Sequence, residues 1–426
     1  MKKLIFKLGI ILVLGAILCS CASRPSGSTS KPSAKEDTFT PSTLEGLDKK
    51  TASYESYKKA AQSAFASLVP TSADEFEYSE CEGGVSIDRH IGDSELVVLP
   101  SEINGKTVVK IAAEAFYIED NKDTEEIEAS RVRSIYAPDS VVSIGKGAFK
   151  NCTSLLLIRL PFIGDGQTQT HVGYVFGADG YDKNAINIPN SLETVIIGDA
   201  RQVADRAFYG AKSIDAILLC GVESIGKFAF YECDELVYIG LGDKLKTIGS
   251  YAFSSCLSLP KIELCESVES IGFGAFYMCR SMCDMTLPFI GDGGEHAYLG
   301  YIFGAGSSAW NSDFVSTSLV SVTLLEGCKR IENKAFAGCD GIVCVDLPET
   351  LEYIGIRSFY GCRSLAEIET KDALTTISTD AFFGCDNLKK LTVKGETEIA
   401  AQAFYGCDSL TEKNINQKAK VHENAF

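Results

Sequence analysis

Histidine and tryptophan are scarce in this chain of 426 residues. Its four histidines, His90, His171, His296 and His422, are scattered, and its one tryptophan is Trp310. The sequence also lacks a nucleophile elbow, a P-loop and an H-E-x-x-H helix, which are the local signatures of common hydrolases, nucleotide-binding enzymes and zinc proteases. We therefore predict that the protein is not an enzyme and that it uses no cofactor and no metal.

Basic residues are outnumbered as well. The chain has 40 Lys and Arg against 57 Asp and Glu, a formal net charge of -17. Proteins that bind nucleic acid or anionic lipid through charge present a basic footprint, which this composition does not favour. The acidic excess keeps the protein soluble and, if it contributes to recognition, favours a partner with basic patches.

Long apolar runs are missing after the first twenty residues. Residues 8–18, "LGIILVLGAIL", follow three lysines and are too short and too one-sidedly flanked for a resident membrane span. They predict a signal peptide over residues 1–20. The next letters, "LCSC" at 18–21, resemble the bacterial lipobox, which implies lipidation of Cys21; a plainly secreted protein is the alternative.

Two segments separate this start from the main part of the chain. Residues 21–50 are rich in Ser, Thr, Pro and charge, which predicts a flexible linker. Residues 51–75 are predicted to form an N-terminal helical cap, because Tyr54, Tyr57, Ala61 and Phe65 recur at helical spacing. The alternative is a mobile amphipathic segment.

A repeat occupies the remainder. Its clearest marker is a Phe that ends an Ala-Phe or Ser-Phe pair, at Phe116, Phe149, Phe208, Phe230, Phe253, Phe276, Phe336, Phe359, Phe382, Phe404 and Phe426. The spacings are 33, 59, 22, 23, 23, 60, 23, 23, 22 and 22, so the basic unit has 22 to 23 residues. Each unit reads as a short strand followed by a turn that returns the chain to the next strand. One unit buries too little apolar surface to offset the cost of ordering its backbone, so stacked units in a solenoid are the stable arrangement.

This pattern resembles the BspA-like leucine-rich repeat family of bacterial surface proteins. The resemblance covers residues 76–426 and includes "GGVSIDRHIGDSELVVLPSEINGKTVVKIAAEAF" at 83–116 and "LEYIGIRSFYGCRSL" at 351–365. It implies a leucine-rich repeat solenoid of short parallel strands joined by turns or short helical segments. The sequence departs from the family pattern at Ala211 and at Lys413, and the second departure predicts that the coil loosens towards the C-terminus.

Three insertions interrupt the period, near 117–130, 161–187 and 288–315. The second contains "PFIGDGQTQTHVGYVFGA" at 161–178 and the third "PFIGDGGEHAYLGYIFGA" at 288–305, 127 residues later. This offset indicates that a block of about 127 residues was duplicated. Position 127 after His171 is Tyr298 rather than a histidine, which argues against a shared catalytic histidine.

The insertions supply the candidate binding residues, which are Asp165, His171, Tyr174, Asp292, His296, Tyr298 and Trp310. In the matching "IGDG" segments an Asp-Gly pair makes a tight turn, with calcium binding as the less favoured alternative. An exposed Trp310 would be a contact anchor, but we expect it to pack against Phe303 or Phe314.

Eight cysteines lie three residues after the marker Phe, at Cys152, Cys233, Cys256, Cys279, Cys339, Cys362, Cys385 and Cys407. Leucine-rich repeats commonly place a small, weakly polar residue inside each coil at such a position. The thiols are strung along an axis, whereas zinc needs four ligands that converge. We predict a column of structural core thiols; disulfides between neighbours would require distortion of the backbone.

The resemblance implies a lipid-anchored surface protein on the outer face of a bacterial membrane. It points to an adhesin that recognises extracellular protein or glycan ligands on host matrix or on other microbes. We expect a monomer that touches the membrane only through its anchor and binds no nucleic acid. The alternatives are a structural envelope spacer, or an accessory protein of a carbohydrate- or peptide-processing system.

Overall fold

The computed structural model describes Lys59 and residues 68–117, 130–198 and 200–426. The chain divides into two compact units, Met1–Thr40 and Pro41–Phe426, and the first lies outside the described residues. The predicted signal peptide, Cys21, the linker and most of the predicted cap at 51–75 therefore also lie outside them. No helix within the described ranges has the length and apolar content needed to cross a membrane.

Short strands dominate the described part of the chain. In chain order they are β1 Phe76–Cys81, β2 Gly84–His90, β3 Leu96–Val98, β4 Glu102–Ile103, β5 Lys106–Ile111, β6 Ser134–Tyr136, β7 Ser143–Ile144, β8 Leu157–Leu160, β9 Thr194–Ile197, β10 Gln202–Val203, β11 Ala216–Leu219, β12 Ser224–Ile225, β13 Tyr238–Gly240, β14 Thr247–Ile248, β15 Lys261–Glu263, β16 Ser270–Ile271, β17 Asp284–Leu287, β18 Ser321–Leu324, β19 Arg330–Ile331, β20 Cys344–Asp346, β21 Tyr353–Ile354, β22 Glu367–Glu369, β23 Thr376–Ile377, β24 Lys390–Val393, β25 Glu398–Ile399, β26 Glu412–Ile415 and β27 Lys420–Val421.

Helical segments are few and short. The α-helices are α1 Asn184–Asn187, α2 Leu299–Ile302 and α3 Asn311–Phe314. The 3-10 helices are Ala73–Glu75, Val172–Phe176, Tyr181–Lys183 and Ser308–Trp310.

The strands form two series of parallel ladders, which confirms the predicted solenoid. The longer strands pair in the orders β13-β11-β9-β8-β6-β3, β15-β17-β18-β20 and β22-β24-β26. The two-residue strands pair in the orders β10-β12-β14-β16 and β19-β21-β23-β25-β27. Partners are one repeat apart, as in Ala216 with Tyr238 and Ile225 with Ile248. At the N-terminal side the ladders begin on an antiparallel hairpin of β1 and β2.

The marker phenylalanines stack along the interior. Ring centroids are 5.0 Å apart between Phe230 and Phe253, and 4.8 Å apart between Phe359 and Phe382, with nearly parallel planes in both pairs. The ring contacts run in three series, from Phe116 to Phe176, from Phe208 to Phe303 and from Phe336 to Phe426. All three belong to one hydrophobic core, which no single repeat could form alone.

The cysteine column lies where the sequence predicts it. Its thiols are buried, apart from the partly exposed Cys407, and every cysteine from Cys81 onward is a free thiol. Seven members donate to the carbonyl of the marker Phe one coil earlier, for example Cys256 to Phe230 (Sγ···O 3.1 Å) and Cys362 to Phe336 (3.0 Å). Burial raises the pKa of Cys362 to about 12, so it stays a neutral thiol. The prediction of structural core thiols is confirmed.

The segments predicted as insertions at 161–187 and 288–315 are coils of the solenoid itself. Strand partners across them, Leu157 with Thr194 and Asp284 with Ser321, are 37 positions apart instead of 22 or 23. Each long coil still contributes a ring to the Phe column: Phe176 lies 6.3 Å from Phe149, and Phe303 lies 6.4 Å from Phe276. The extra residues thus lengthen the turns without leaving the stack. The insertion predicted near 117–130 falls mostly outside the described residues.

The coil at Lys413 does not loosen as predicted. Leu391 pairs in register with Lys413, and the ladder continues into β26 and β27. The Lys413 ammonium lies 4.0 Å from the centroid of the Phe426 ring, which itself stacks on Phe404 at 5.2 Å. A long lysine side chain can cover an aromatic ring and keep its charge in water, so the polar residue does not disrupt the coil.

Candidate functional site: an aromatic face between two long coils

The two "IGDG" segments are loops held by an aspartate. The Oδ1 atom of Asp165 accepts hydrogen bonds from the backbone N–H groups of Gln167, Thr168 and Gln169, each at 2.8 Å. Partial burial alone would raise the pKa of Asp165, but these bonds and one from the Thr168 hydroxyl hold it below the ordinary value. The interpretation as a tight turn is confirmed, since the carboxylate is occupied by its own loop.

Asp292 holds the second loop in a similar way and also binds a histidine. Its Oδ1 accepts from the N–H groups of Gly294 (2.8 Å) and His296 (3.0 Å), and its Oδ2 accepts from Nδ1 of His296 (2.8 Å). Partial burial opposes ionisation, yet the bond from His296 and the backbone bonds keep the pKa of Asp292 below its ordinary value.

The two histidines of the long coils have different roles, in agreement with their different registers. His171 is 7% exposed and donates through Nδ1 to Oδ1 of Asn184 (3.1 Å), so it belongs to the interior. His296 is half-exposed and stacks on Tyr301 with ring centroids 4.5 Å apart. Only His296 is therefore placed to meet a ligand.

The remaining predicted binding residues also differ in how far they are exposed. Tyr174 packs against the core, while Tyr298, at the position equivalent to His171, is half-buried and donates its hydroxyl to the carbonyl of Ala305 (3.1 Å). Trp310 is 52% exposed, and its ring lies beside Gly306. The expectation that Trp310 packs away against Phe303 or Phe314 is wrong, because a 3-10 turn at Ser308–Trp310 holds the indole at the surface.

A buried asparagine that the sequence analysis did not select fixes each long coil. Oδ1 of Asn184 accepts from the N–H of Gly173 (3.1 Å), and its amide donates to the carbonyls of Ala207 (3.4 Å) and Tyr209 (3.0 Å). Asn311, 127 positions later, accepts from Gly300 (2.9 Å) and donates to Lys334 and Ala335. The offset of 127 residues between the two copies is the sequence signal from which this pair could have been predicted.

Between the two long coils, rings that touch one another cover the turn side of the solenoid. We call this surface the aromatic face. Its members are Tyr181, Tyr209, Phe228, Tyr231, Tyr251, Phe273, Tyr277, His296, Tyr298, Tyr301 and Phe314. Successive centroids are 4.5 to 6.4 Å apart, and every one of these rings is at least partly exposed. The face joins the first long coil, at Tyr181, to the second, at His296 and Phe314.

The backbone presents five of these rings at two positions of the repeat. One is the residue after the marker Phe, as in Tyr209, Tyr231 and Tyr277. The other is two residues before it, where Phe228 and Tyr251 both have φ of 57°, in the left-handed region. For a residue with a side chain this conformation costs about 1–2 kcal/mol, and bulky residues there are outliers. The same conformation recurs two residues before the marker Phe in other coils, as at Arg206, Lys334 and Arg357, so it belongs to the turn of the repeat.

Glycine makes room for one of these rings. Gly274 occupies the left-handed position of the next coil with φ of 63°. A Cβ placed on it would lie 2.7 Å from Cε1 of Tyr251. The Tyr251 ring therefore lies flat against a backbone that has no side chain at that point, and it bridges the coils of Phe253 and Phe276.

The corresponding surface of the first copy is charged instead of aromatic. Lys146 and Lys150 stand 127 positions before Phe273 and Tyr277. Lys146 pairs with Asp179, and Lys150 pairs with Glu114 at 3.4 Å. The scaffold thus tolerates ion pairs at these positions, so packing alone does not require rings at Phe273 and Tyr277.

The charged groups around the aromatic face are largely paired. The Arg206 guanidinium lies over the rings of Tyr181 and Phe228, 5.1 and 5.2 Å from their centroids. Lys212 pairs with Asp234 at 3.2 Å and with Glu232 at 3.8 Å. The face can therefore offer ring surfaces and tyrosine hydroxyls to a ligand.

The tyrosine hydroxyls of this surface keep their protons. Partial burial raises the pKa of Tyr231, Tyr298 and Tyr301 above the ordinary value of tyrosine. Within the described ranges, no three His, Cys, Asp or Glu side chains are placed to share a metal ion. The arrangement is suited to contact through rings and neutral hydroxyls.

Comparison with known proteins decides the family. A family description, the BspA type leucine-rich repeat region, matches six copies over residues 127–195, 201–292 and 310–426, more than half of the chain. The chain belongs to the BspA-type leucine-rich repeat family. The resemblance inferred from the spacing of Phe and Cys is thereby confirmed. No curated protein matches the chain.

Solved structures of bacterial leucine-rich repeat proteins are similar over most of the chain. A leucine-rich repeat protein from Bacteroides ovatus is 20% identical, with a TM-score of 0.36, covering 83% of this chain and 99% of its own. A leucine-rich cell surface protein from Faecalibacterium prausnitzii is 19% identical, with a TM-score of 0.34 and coverage of 82% and 95%. The leucine-rich repeat protein of T. pallidum is 25% identical, with a TM-score of 0.21 and coverage of 70% and 91%.

Proposed function

We propose that this BspA-type protein is a bacterial cell-surface binding protein that attaches to extracellular protein or glycan ligands on host matrix or other microbes. The observation that carries the proposal is the aromatic face, a continuous set of partly exposed rings, two of which, Phe273 and Tyr277, are replaced by ion-paired lysines in the first copy. Tyrosine, tryptophan and phenylalanine are enriched at interfaces because they contribute a large apolar contact area at low entropy cost.

The rigidity of the scaffold supports this function. The Phe column behind the aromatic face is fully buried, and hydrogen bonds between successive coils fix the turns that hold the rings, as in Phe230 to Ala252 (2.7 Å). Rings held in place before binding lose less freedom when a ligand arrives. His296 and Trp310, predicted from sequence as binding residues, lie at or beside one end of the face and extend the contact area.

A matched pair of double variants tests the proposal. Tyr231→Ala with Tyr277→Ala removes two rings from the aromatic face. Tyr360→Ala with Tyr405→Ala removes two rings from the same repeat position outside it, where they are 41% and 52% exposed. Attachment of the purified protein to immobilised matrix proteins, glycan arrays and whole bacteria is then measured. We expect the first pair to weaken attachment at least tenfold, about 1.4 kcal/mol, and the second to leave it nearly unchanged.

Two results would favour the structural spacer instead. One is no attachment of the intact chain at micromolar concentration, and the other is attachment that neither double variant changes. With a charge of -17, binding to a basic partner should also weaken as salt shortens the Debye length below about 10 Å. That the protein is no enzyme and acts as a monomer stays a prediction.

Anchoring through Cys21 is a separate part of the proposal, supported by the short apolar run and "LCSC". Two or three acyl chains hold a protein on a membrane, since each buried CH₂ contributes about 0.8 kcal/mol. Cys21→Ser should move the protein from the membrane fraction to the soluble fraction, whereas Cys19→Ser should leave it in place. Firm membrane association of the Cys21 variant would refute lipidation.

A further inference from the structure

The six-stranded sheet has an outer surface that is largely apolar and largely buried. In its ladder order, the side chains that point away from the core form one row of Leu96, Ser134, Leu157, Thr194, Ala216 and Tyr238, and a second of Val98, Tyr136, Arg159, Ile196, Leu218 and Gly240. Tyr136, Leu157, Ile196, Ala216, Leu218 and Tyr238 form an apolar cluster distinct from the main core, each at most 9% exposed. We call these two rows the outer sheet face.

The outer rows change character at the next coil. β15 presents Lys261 and Glu263 outward, and the later strands present polar residues such as Glu367, Glu369 and Lys390. Half-exposed polar rows are the usual state of a sheet with one face in water, whereas strands covered on both faces are apolar throughout. The "TVII" of β9 and the "AILL" of β11 have the second pattern, with all residues buried. The outer sheet face is therefore covered along these six strands and ends at β13.

The chain itself enters at the edge of this face. Leu68 packs against the apolar cluster. Three residues later, the N–H of Thr71 donates to the carbonyl of Val98 (2.9 Å), and the N–H of Val98 donates to Oγ1 of Thr71 (3.0 Å). Thr71 is thus bound to β3, the edge strand of the sheet, so the residues that precede Leu68 start directly beside the outer sheet face.

The preceding segment matches the face in chemistry and in length. Tyr54, Tyr57, Ala61 and Phe65 recur at helical spacing, and Lys59, on the opposite side of that helix, is helical and exposed. Residues 51–67 span about 25 Å as an α-helix at about 1.5 Å per residue. Six strands span about 24 Å at about 4.8 Å between neighbours.

We propose that residues 51–67 form an amphipathic helix that lies across the outer sheet face, from β3 to β13, with the Tyr54, Tyr57, Ala61 and Phe65 side covering the apolar cluster. The helix covers the side of the solenoid instead of its end, where a cap would sit. It occupies the sheet side of the N-terminal coils, so external ligands meet these coils on the turn side, which carries the aromatic face.

Photo-crosslinking in the full chain tests the position of this helix. p-Benzoylphenylalanine replaces Tyr238 on the outer sheet face, and in a control it replaces Glu369, an outward position of β22 beyond the face. The sample contains equal parts of isotope-labelled and unlabelled chain, so that crosslinks within one chain can be distinguished from crosslinks between two copies. After irradiation, the crosslinked peptides are identified by mass spectrometry. We expect position 238 to join residues 51–67 of the same chain and position 369 not to join them. Joining to another segment or to a second copy, or no joining to 51–67, would overturn the proposal.

A second comparison keeps the proposal testable if the photoreactive variant fails to fold. Tyr57→Asp with Phe65→Asp places charge on the apolar stripe, while Ser63→Asp places it on the polar side of the same segment. We expect the first variant to raise the fluorescence of a dye that binds exposed apolar surface and to lower the thermal midpoint, and the control to match the parent. Equal dye binding and equal midpoints in all three proteins would show that the segment does not cover the sheet.

Discussion

Replacement of Asn184 by alanine should destabilise the first long coil more than the same change at Asn311 destabilises the second. Asn184 is fully buried, and its side chain joins the helical turn at Gly173 to the next coil at Tyr209. Alanine leaves the Gly173 N–H and the His171 Nδ1–H without their acceptor, and the Tyr209 carbonyl without its donor. The Ala207 carbonyl keeps a second donor, the N–H of Val172 (2.9 Å).

The second long coil loses less stability on the equivalent substitution. Asn311→Ala also removes the acceptor of one N–H, that of Gly300. Its two carbonyl partners keep other donors, since Lys334 accepts from Ala337 (3.2 Å) and Ala335 accepts from Leu299 (2.8 Å). A buried polar group left without a partner costs about 1–3 kcal/mol. With three such groups for Asn184→Ala and one for Asn311→Ala, we expect losses of about 3–9 kcal/mol and about 1–3 kcal/mol.

The free energy of unfolding comes from denaturant titration, and hydrogen exchange read by peptide localises the loss. The local measurement is needed because repeat proteins can open coil by coil. Protection should fall around residues 172–188 and 207–211 for Asn184→Ala. Asn187→Ala, in the same helix α1 but half-buried, is the control and should stay within about 0.5 kcal/mol of the parent. An equal loss of unfolding free energy for Asn184→Ala and Asn311→Ala would refute the argument that the first change leaves more buried polar groups without a partner.

Two further predictions concern the thiols and the aspartate loops. Unreduced protein alkylated after denaturation should take up one label at each of the fourteen cysteines from Cys81 onward, and an uptake near zero would show disulfides. Native protein at pH 8 should react first at the partly exposed Cys407, whose pKa is lowered by its hydrogen bond with Cys385, because burial raises the pKa of Cys152 and Cys279 to about 12. The folded-state pKa values of Asp165 and Asp292 are lowered. The two ionised side chains therefore stabilise the fold at pH values above the ordinary pKa of about 3.9, and this stabilisation is lost as the pH falls through the folded-state pKa. Asp165→Asn and Asp292→Asn should each reduce the acid sensitivity of thermal unfolding, and unchanged sensitivity in both would contradict the assignment.

The spacing of apolar residues was sufficient to predict the solenoid. Phe and Cys recur every 22 to 23 residues because every coil must place the same side chains in the same columns, and that requirement is visible in one dimension. The same reasoning placed the thiols in the core. It also separated His171 from His296 by their register, and the structure shows one buried and the other on the aromatic face.

What the sequence could not determine is which residues of different coils meet at the surface. Tyr251 and Tyr301 are 50 positions apart, yet both contact Phe273 because the turns stack side by side. A ring recurs one residue after the marker Phe, as at Tyr209, Tyr231 and Tyr360, but this recurrence does not show which rings of different coils touch or how far each is exposed. For the same reason the exposure of Trp310 was predicted wrongly.

The sequence by itself determined the repeat, its family, the interior columns and the duplication of the long coils, because burial imposes a regular constraint on each coil. Only the tertiary structure decided that the long segments remain within the stack, that Asn184 and Asn311 fasten them, and that rings from successive coils merge into one face. These features depend on distances between coils, which are set by strand pairing and by the stacking of Phe side chains, and no local pattern of residues encodes them.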